Sequence, residues 1–129
     1  ETALLILDMD DFKAVNDRYG HPCGDYILQE VGRKLREVFP GEAVGRIGGD
    51  EFAVVCSGDR ESLEQAADKL IREVASLRWK GTDIGVACSV GICLAGRAGV
   101  DYQRLYREAD NALYQAKNRG KGRYSVGAV

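Results

Sequence analysis

Arg46-Ile47-Gly48-Gly49-Asp50-Glu51-Phe52-Ala53-Val54-Val55 sets two glycines and two acids between one short apolar run and another. Adjacent glycines between β-prone runs read as the turn of a hairpin, because glycine reaches positive φ freely and lets another molecule come close to the backbone. Asp50 and Glu51 put carboxylates at the tip, oxygen ligands of the kind a hard cation such as Mg²⁺ takes. A solvated turn would account for these four residues taken alone. What separates the two readings is a second acidic cluster, Asp8-Met9-Asp10-Asp11, near the N-terminus.

That cluster follows Ala3 to Leu7, a continuous apolar run without polar alternation, the pattern of a central strand covered on both faces. Asp10 or Asp11 is placed to cap a short helix carrying Phe12, Val15 and Tyr19 on one side. Lys13 and the free amides of its first turn suit a phosphate. Residues Asn16 to Asp25, rich in turn formers, read as a loop, and a longer helix is expected from about Asp25 to Phe39, stopped by Pro40-Gly41.

Beyond the hairpin, Ser57-Gly58-Asp59 turns the chain into a helix striped by Leu63, Ala67, Leu70, Val74 and Leu77, and Arg78-Trp79-Lys80-Gly81 ends it. Val86 to Leu94 is a second apolar strand. A loop through Gly96 and Gly99 leads to a helix from Tyr102 to about Asn118, then a basic, flexible tail to Arg123 and a short strand, Tyr124 to Val126. Strands alternating with helices, plus one antiparallel hairpin, specify an α/β sandwich: a mixed sheet with helices on both faces.

Composition narrows the partners. The 129 residues suit one domain, and 18 Lys and Arg against 20 Asp and Glu leave no global basic field for nucleic acid or a membrane surface. No apolar run approaches the ~20 residues needed to cross a bilayer, so no direct membrane insertion is expected. Cys23, Cys56, Cys88 and Cys93 form no metal-binding or disulfide pattern and suit a reducing cytoplasm. Cys88 and Cys93, an odd number of residues apart on one strand, face opposite ways.

Asp8 and Asp50 form the central pair: adjacent strands bring both carboxylates to one sheet edge, the minimum for metal-assisted phosphoryl transfer. A capping Asp8 and a solvated Asp50 leave the two glycines unexplained. Composition and spacing reach this far and no further.

The joint set Asp8-Met9-Asp10-Asp11-Phe12-Lys13, Asn16-Asp17, Gly20-His21, Gly24-Asp25, Gly48-Gly49-Asp50-Glu51-Phe52 and Ala116-Lys117 with Gly120 resembles the GGDEF domain of bacterial diguanylate cyclases. The resemblance runs from residue 1 to about residue 126. It implies a ferredoxin-like, nucleotidyl cyclase-like fold and one domain over residues 1–129, cut from a larger cytoplasmic or membrane-anchored signalling protein with an upstream sensory or dimerisation region. The leading helix and the D-x-L-T-G-L-x-N-R stretch that precede the first strand in the family are not in the chain.

The activity implied is condensation of two GTP molecules into cyclic di-GMP, with Mg²⁺ (or Mn²⁺) as cofactor, across a homodimer. By the same resemblance, Asp8, Asp50 and the Met9 carbonyl hold metal, and Glu51 helps remove the 3′-hydroxyl proton. The amides of Asp11 and Phe12 hold the β and γ phosphates, and Lys13 offsets developing charge. Gly48 and Gly49 leave room for nucleotide. Asn16 and Asp25 read guanine, whose N1–H and N2–H₂ both donate to a carboxylate where adenine has an unprotonated N1. Lys117 binds phosphate, and Lys121 stands where the family commonly has arginine, keeping the charge without the planar fork. His21 is read as structural. Phe39-Pro40-Gly41-Glu42 replaces the R-x-x-D of the family's product-inhibition site, so no feedback through it is expected. The alternative function is a GTP-binding regulatory module without turnover; a plain protein-interaction role is a third.

Overall fold

A computed structural model describes residues 2–96 and 99–129. Glu1 and the middle of the loop expected between Gly96 and Gly99 lie outside the described residues. Strand β1 (Thr2–Asp10) leads to helices α1 (Phe12–Tyr19) and α2 (His21–Val38), the hairpin strands β2 (Ala43–Arg46) and β3 (Glu51–Ser57), and helix α3 (Arg60–Ala75). A two-residue ribbon, β4 (Arg78–Trp79) with β5 (Thr82–Asp83), precedes β6 (Ala87–Leu94), α4 (Tyr102–Asn118) and β7 (Tyr124–Ala128).

The main sheet runs β2-β3-β1-β6-β7, antiparallel throughout except for the parallel β6 and β7. Its centre is β1, where Ala3 to Leu7 are all fully buried, as the unbroken apolar run requires. Each buried leucine or isoleucine there contributes roughly 1.5–3 kcal/mol. Alternation splits the run between two cores. Ala3, Leu5, Leu7 and Met9 meet α2 and α3 with Leu35, Leu70 and Val74, whereas Leu4 and Ile6 meet α4 through Leu105, Ala109 and Leu113. Helices therefore cover both faces, and Cys88 and Cys93 do fall on opposite ones.

Gly91 lets α4 approach. A Cβ built there would sit 2.2 Å from the Ala109 carbonyl oxygen and 2.4 Å from the Leu113 nitrogen, so only glycine permits this helix-to-sheet distance.

Five details differ from the sequence reading. The loop expected over Asn16 to Asp25 is helical but for Gly20, which turns the chain at φ 94°, and Pro22 starts α2 from its first turn. Asp25, expected at the start of that helix, is consequently inside α2. Neither Asp10 nor Asp11 caps α1: Asp11 occupies the position in a left-handed conformation without a side-chain hydrogen bond to the helix. Strand β1 runs on through Asp10, because pairing with β6 continues to Ala87. Lastly, Arg78 to Gly81 ends α3 by starting a small ribbon, closed by Arg78 on Asp83 at 2.7 Å.

Candidate active site

Antiparallel pairing places Asp8 opposite Glu51 on one side and Ser89 on the other. The hairpin tip folds back on the same point, where the Met9 amide donates to the Asp50 carbonyl at 3.2 Å. Asp50 and Asp8 are close enough for the Asp50 carboxylate to raise the pKa of Asp8. The expected convergence of the two acids is thus present.

Neither Gly48 nor Gly49 has positive φ. A side chain at Gly48 would meet only Glu51, at 3.5 Å, and one at Gly49 nothing within 4 Å. Backbone strain and packing within the chain therefore do not require these glycines. Arg46, which sequence reasoning did not single out, shapes the turn: its guanidinium donates to the carbonyls of Gly48 (3.1 Å) and Gly49 (2.6 Å).

Between the hairpin and the two helices lies a cavity of about 560 Å³, lined by Phe12, Lys13, Asn16 and Asp17 of α1, His21, Asp25 and Leu28 of α2, and Arg46, Gly49 and Asp50 of the hairpin. Asn16 Oδ1 is buried and has no hydrogen-bond partner among the described residues. A buried acceptor left unpaired costs free energy. The Asp25 carboxylate lines the same space, and Lys13, exposed, is paired with Asp17 at 3.0 Å. His21, read as structural from the sequence, is an exposed wall of this cavity.

On the far side of Asp8 the basic residues gather. Lys117, at the end of α4, reaches Asp10 at 3.0 Å, Asp8 at 3.2 Å and the Met9 carbonyl at 3.3 Å. Asp10 is itself buried and takes hydrogen bonds from the Ser89 hydroxyl (2.8 Å) and the Gly122 amide (2.9 Å). The tail expected to be flexible is thus tied to the end of β1. Lys121, in the left-handed region at φ 63°, pairs with Asp11 at 3.1 Å. Asp10 and Ser89 were missed as members of this network. Their signal was parity, since Asp8, Asp10 and the α4-facing Leu4 and Ile6 all share even positions on β1.

Burial raises the Asp8 carboxyl above the usual range, against the pull of Lys117 and with the push of Asp50. Burial also raises Glu51, helped by Asp8, Asp110 and Asp50 and opposed by a hydrogen bond from Tyr106. For Lys117 burial acts downward, but the Asp10 hydrogen bond and the charges of Asp8 and Asp10 prevail and hold its ammonium more firmly protonated. The cysteines are remote from such activation: burial pushes Cys56 up to about 11 and Cys88 up to about 12.

Among the described residues no three acidic, thiol or imidazole side chains form a ready metal cage. Two converging carboxylates beside a carbonyl nonetheless fit a hard divalent cation that takes its remaining ligands from water and other oxygen groups.

Comparison with known proteins gives this α/β domain a family. The family model described as "Diguanylate cyclase, GGDEF domain" matches residues 1–123. The chain belongs to the GGDEF-domain family. It is 37% identical over 125 residues to diguanylate cyclase DgcS of Shewanella oneidensis, covering 96% of this chain and 42% of that protein. It is 36% identical over 129 residues to cyclic di-GMP phosphodiesterase PdeR of Escherichia coli, covering 98% of this chain and 20% of that protein. The chain thus spans less than half the length of these relatives. Among solved structures, the active GGEEF domain of a diguanylate cyclase from Vibrio cholerae superposes with a TM-score of 0.89 at 27% identity, over 97% of this chain and 81% of that one. The GGDEF domain of DgcB from Caulobacter crescentus, in complex with c-di-GMP, gives 0.86 at 28% identity, over 97% and 77%. No helix among the described residues is long and apolar enough to cross a membrane.

Proposed function

We propose that this domain is the catalytic unit of a diguanylate cyclase, joining two GTP molecules into cyclic di-GMP with release of two pyrophosphates. The observation that carries the reading is the cavity itself: it has an unpaired buried acceptor, Asn16 Oδ1, and the Asp25 carboxylate at one end, and the Asp50 carboxylate at the hairpin. Guanine supplies the donors that Asn16 and Asp25 lack. An α-phosphate seated near Asp8 and Asp50 then leaves the β and γ phosphates toward the amides of Asp11 and Phe12 and the cations Lys13, Lys117 and Lys121.

Asp8, Asp50 and the Met9 carbonyl would hold Mg²⁺, which when bound supplies Lewis-acid stabilisation of charge on the phosphate oxygens. Glu51 accepts the proton of the 3′-hydroxyl; the new P–O bond forms as the bond to the pyrophosphate oxygen breaks. Gly48 and Gly49 keep side chains out of the nucleotide's path. Lys117, released in part from Asp8 and Asp10, turns its charge to the triphosphate.

Since one such site holds one GTP, the second nucleotide must come from another copy, and the working unit is a homodimer brought together by an upstream sensory or dimerisation region in the cytoplasm. Phe39 to Glu42 offer no arginine to a product molecule, so feedback through that segment is absent. Full-length protein at high concentration, incubated with GTP and Mg²⁺, is expected to yield cyclic di-GMP and pyrophosphate in a one-to-two ratio. GTP bound without product would favour a regulatory module instead, the reading to which the 36% identity with a protein named a phosphodiesterase points. Neither binding nor product would overturn both.

A further inference from the structure

Gly24 stands in α2 directly above the Asn16 side chain. A Cβ built on Gly24 would lie 1.9 Å from Asn16 Oδ1 and 3.0 Å from its Cγ, with the Phe12 ring tip at 3.3 Å. Gly24 is buried and has ordinary helical φ, so neither a turn nor backbone strain calls for glycine there. Glycine inside a helix is in fact a poor choice, since alanine favours the helix and costs less conformational entropy. What the missing Cβ permits is the place of the Asn16 carboxamide, pressed against the α2 backbone with its oxygen buried and unpaired.

We propose that Gly24 is a positioning residue for guanine: its bare backbone sets the Asn16 carboxamide where it meets the base. The inference rests on the guanine-reading role given above to Asn16. The obstruction is the free end of a side chain, not backbone, so an added methyl group displaces Asn16 without unfolding α2. Phe12 need give only a few tenths of an ångström. The substitution Gly24→Ala therefore acts on recognition far more than on stability. Gly91 offers the opposite case, since the atoms facing it belong to the backbone of α4.

The test is a double-mutant cycle in the full-length protein with Gly24→Ala, Asn16→Ala and the pair. Affinity is read by calorimetry for the α,β-methylene analogue of GTP, which cannot be turned over, and melting temperature is read alongside. Gly24→Ala is expected to weaken analogue binding about tenfold, the loss of a nucleobase hydrogen bond, with melting unchanged or raised. In the Asn16→Ala background the same change is expected to cost nothing further, because the clashing atoms are gone. If wild type fails to bind, or Asn16→Ala binds as wild type does, the guanine-reading proposal falls and this inference with it. If Asn16→Ala weakens binding but Gly24→Ala adds the same loss in both backgrounds, the positioning inference alone is overturned. Should Gly24→Ala lose its melting transition, its return in the double variant supports the contact, and its absence there overturns it.

Discussion

Lys117 Nζ, on the last turn of α4, stands 3.0 Å from Asp10 Oδ1 at the end of β1. The same carboxylate holds the Ser89 hydroxyl and the Gly122 amide, so one side chain joins β1, β6, α4 and the loop before β7. Asp10→Ala removes one of three partners of the Lys117 ammonium, which keeps Asp8 and the Met9 carbonyl, and takes the acceptor from the buried Ser89 hydroxyl, while Ser89 Oγ still receives the Gly122 amide. With a discount for the partial exposure of Lys117, a loss of about 1–3 kcal/mol is expected in urea denaturation. Ser89→Ala should cost about 1 kcal/mol. A variant of Asp10 as stable as wild type would show that the network is not a structural tie.

Asp50 behaves differently. Its carboxylate adds like charge beside Asp8, and its backbone carbonyl, not its carboxylate, receives the Met9 amide. Asp50→Ala should abolish cyclic di-GMP formation while shifting stability by no more than about 0.5 kcal/mol. Loss of the folded circular dichroism spectrum would instead make Asp50 structural.

The central strand, the helix stripes and the acidic tip were legible because each is a local pattern: the apolar run Ala3 to Leu7, the spacing of Leu105, Ala109 and Leu113, and the pair of glycines beside Asp50. The helix hidden in Asn16 to Asp25 was not, since turn formers in series outweigh helix periodicity when no apolar stripe fills the segment. There Cys23 and Gly24 are the buried residues, and Gly24 is buried because Asn16 lies over it. Asp10 escaped notice for another reason. Its partners stand 79 and 107 residues away, and only the pairing of β1 with β6 and the docking of α4 bring them together.

Lys121, which the resemblance sets at a position where the family commonly has arginine, pairs with Asp11, and that partner is exposed. Such a pair contributes about 0–1 kcal/mol, so Lys121→Arg should leave melting unchanged. The planar fork should nevertheless tighten binding of the α,β-methylene GTP analogue about three- to tenfold by bidentate contact with phosphate. Unchanged affinity in calorimetry would place this side chain away from the triphosphate.

Alkaline pH should weaken the fold through Cys56. Burial, then the charge of Glu42, raises its thiol from the ordinary 9.0 to about 11. A raised folded-state value means the stability it confers is whole below pH 9 and is lost as pH rises from there toward 11. The slope is at most about 1.4 kcal/mol per pH unit for this one thiol. Urea denaturation between pH 7 and 10.5 should show Cys56→Ala falling less steeply than wild type. Parallel curves would count against the shift.

Gly91 and Gly127 allow a comparison in which distance alone decides. Both are strand glycines beside α4, but a Cβ at Gly91 meets Ala109 and Leu113 backbone within 2.8 Å, whereas one at Gly127 meets the Glu108 carbonyl at 3.7 Å. Backbone cannot rotate aside as a side chain does, so Gly91→Ala must push α4 off the sheet and loosen Leu4, Ile6 and Leu113 together. A loss of about 3 kcal/mol or more is expected, a drop in melting temperature of at least about 10 °C for a domain of this size. Gly127→Ala, in ordinary contact and with less chain entropy to lose, should melt within a few degrees of wild type. Because Lys117 rides on α4, Gly91→Ala should also weaken GTP binding while Gly127→Ala leaves it intact. Equal melting of the two variants would mean that α4 adjusts freely on the sheet, and the close approach at Gly91 would lose its role in placing Lys117.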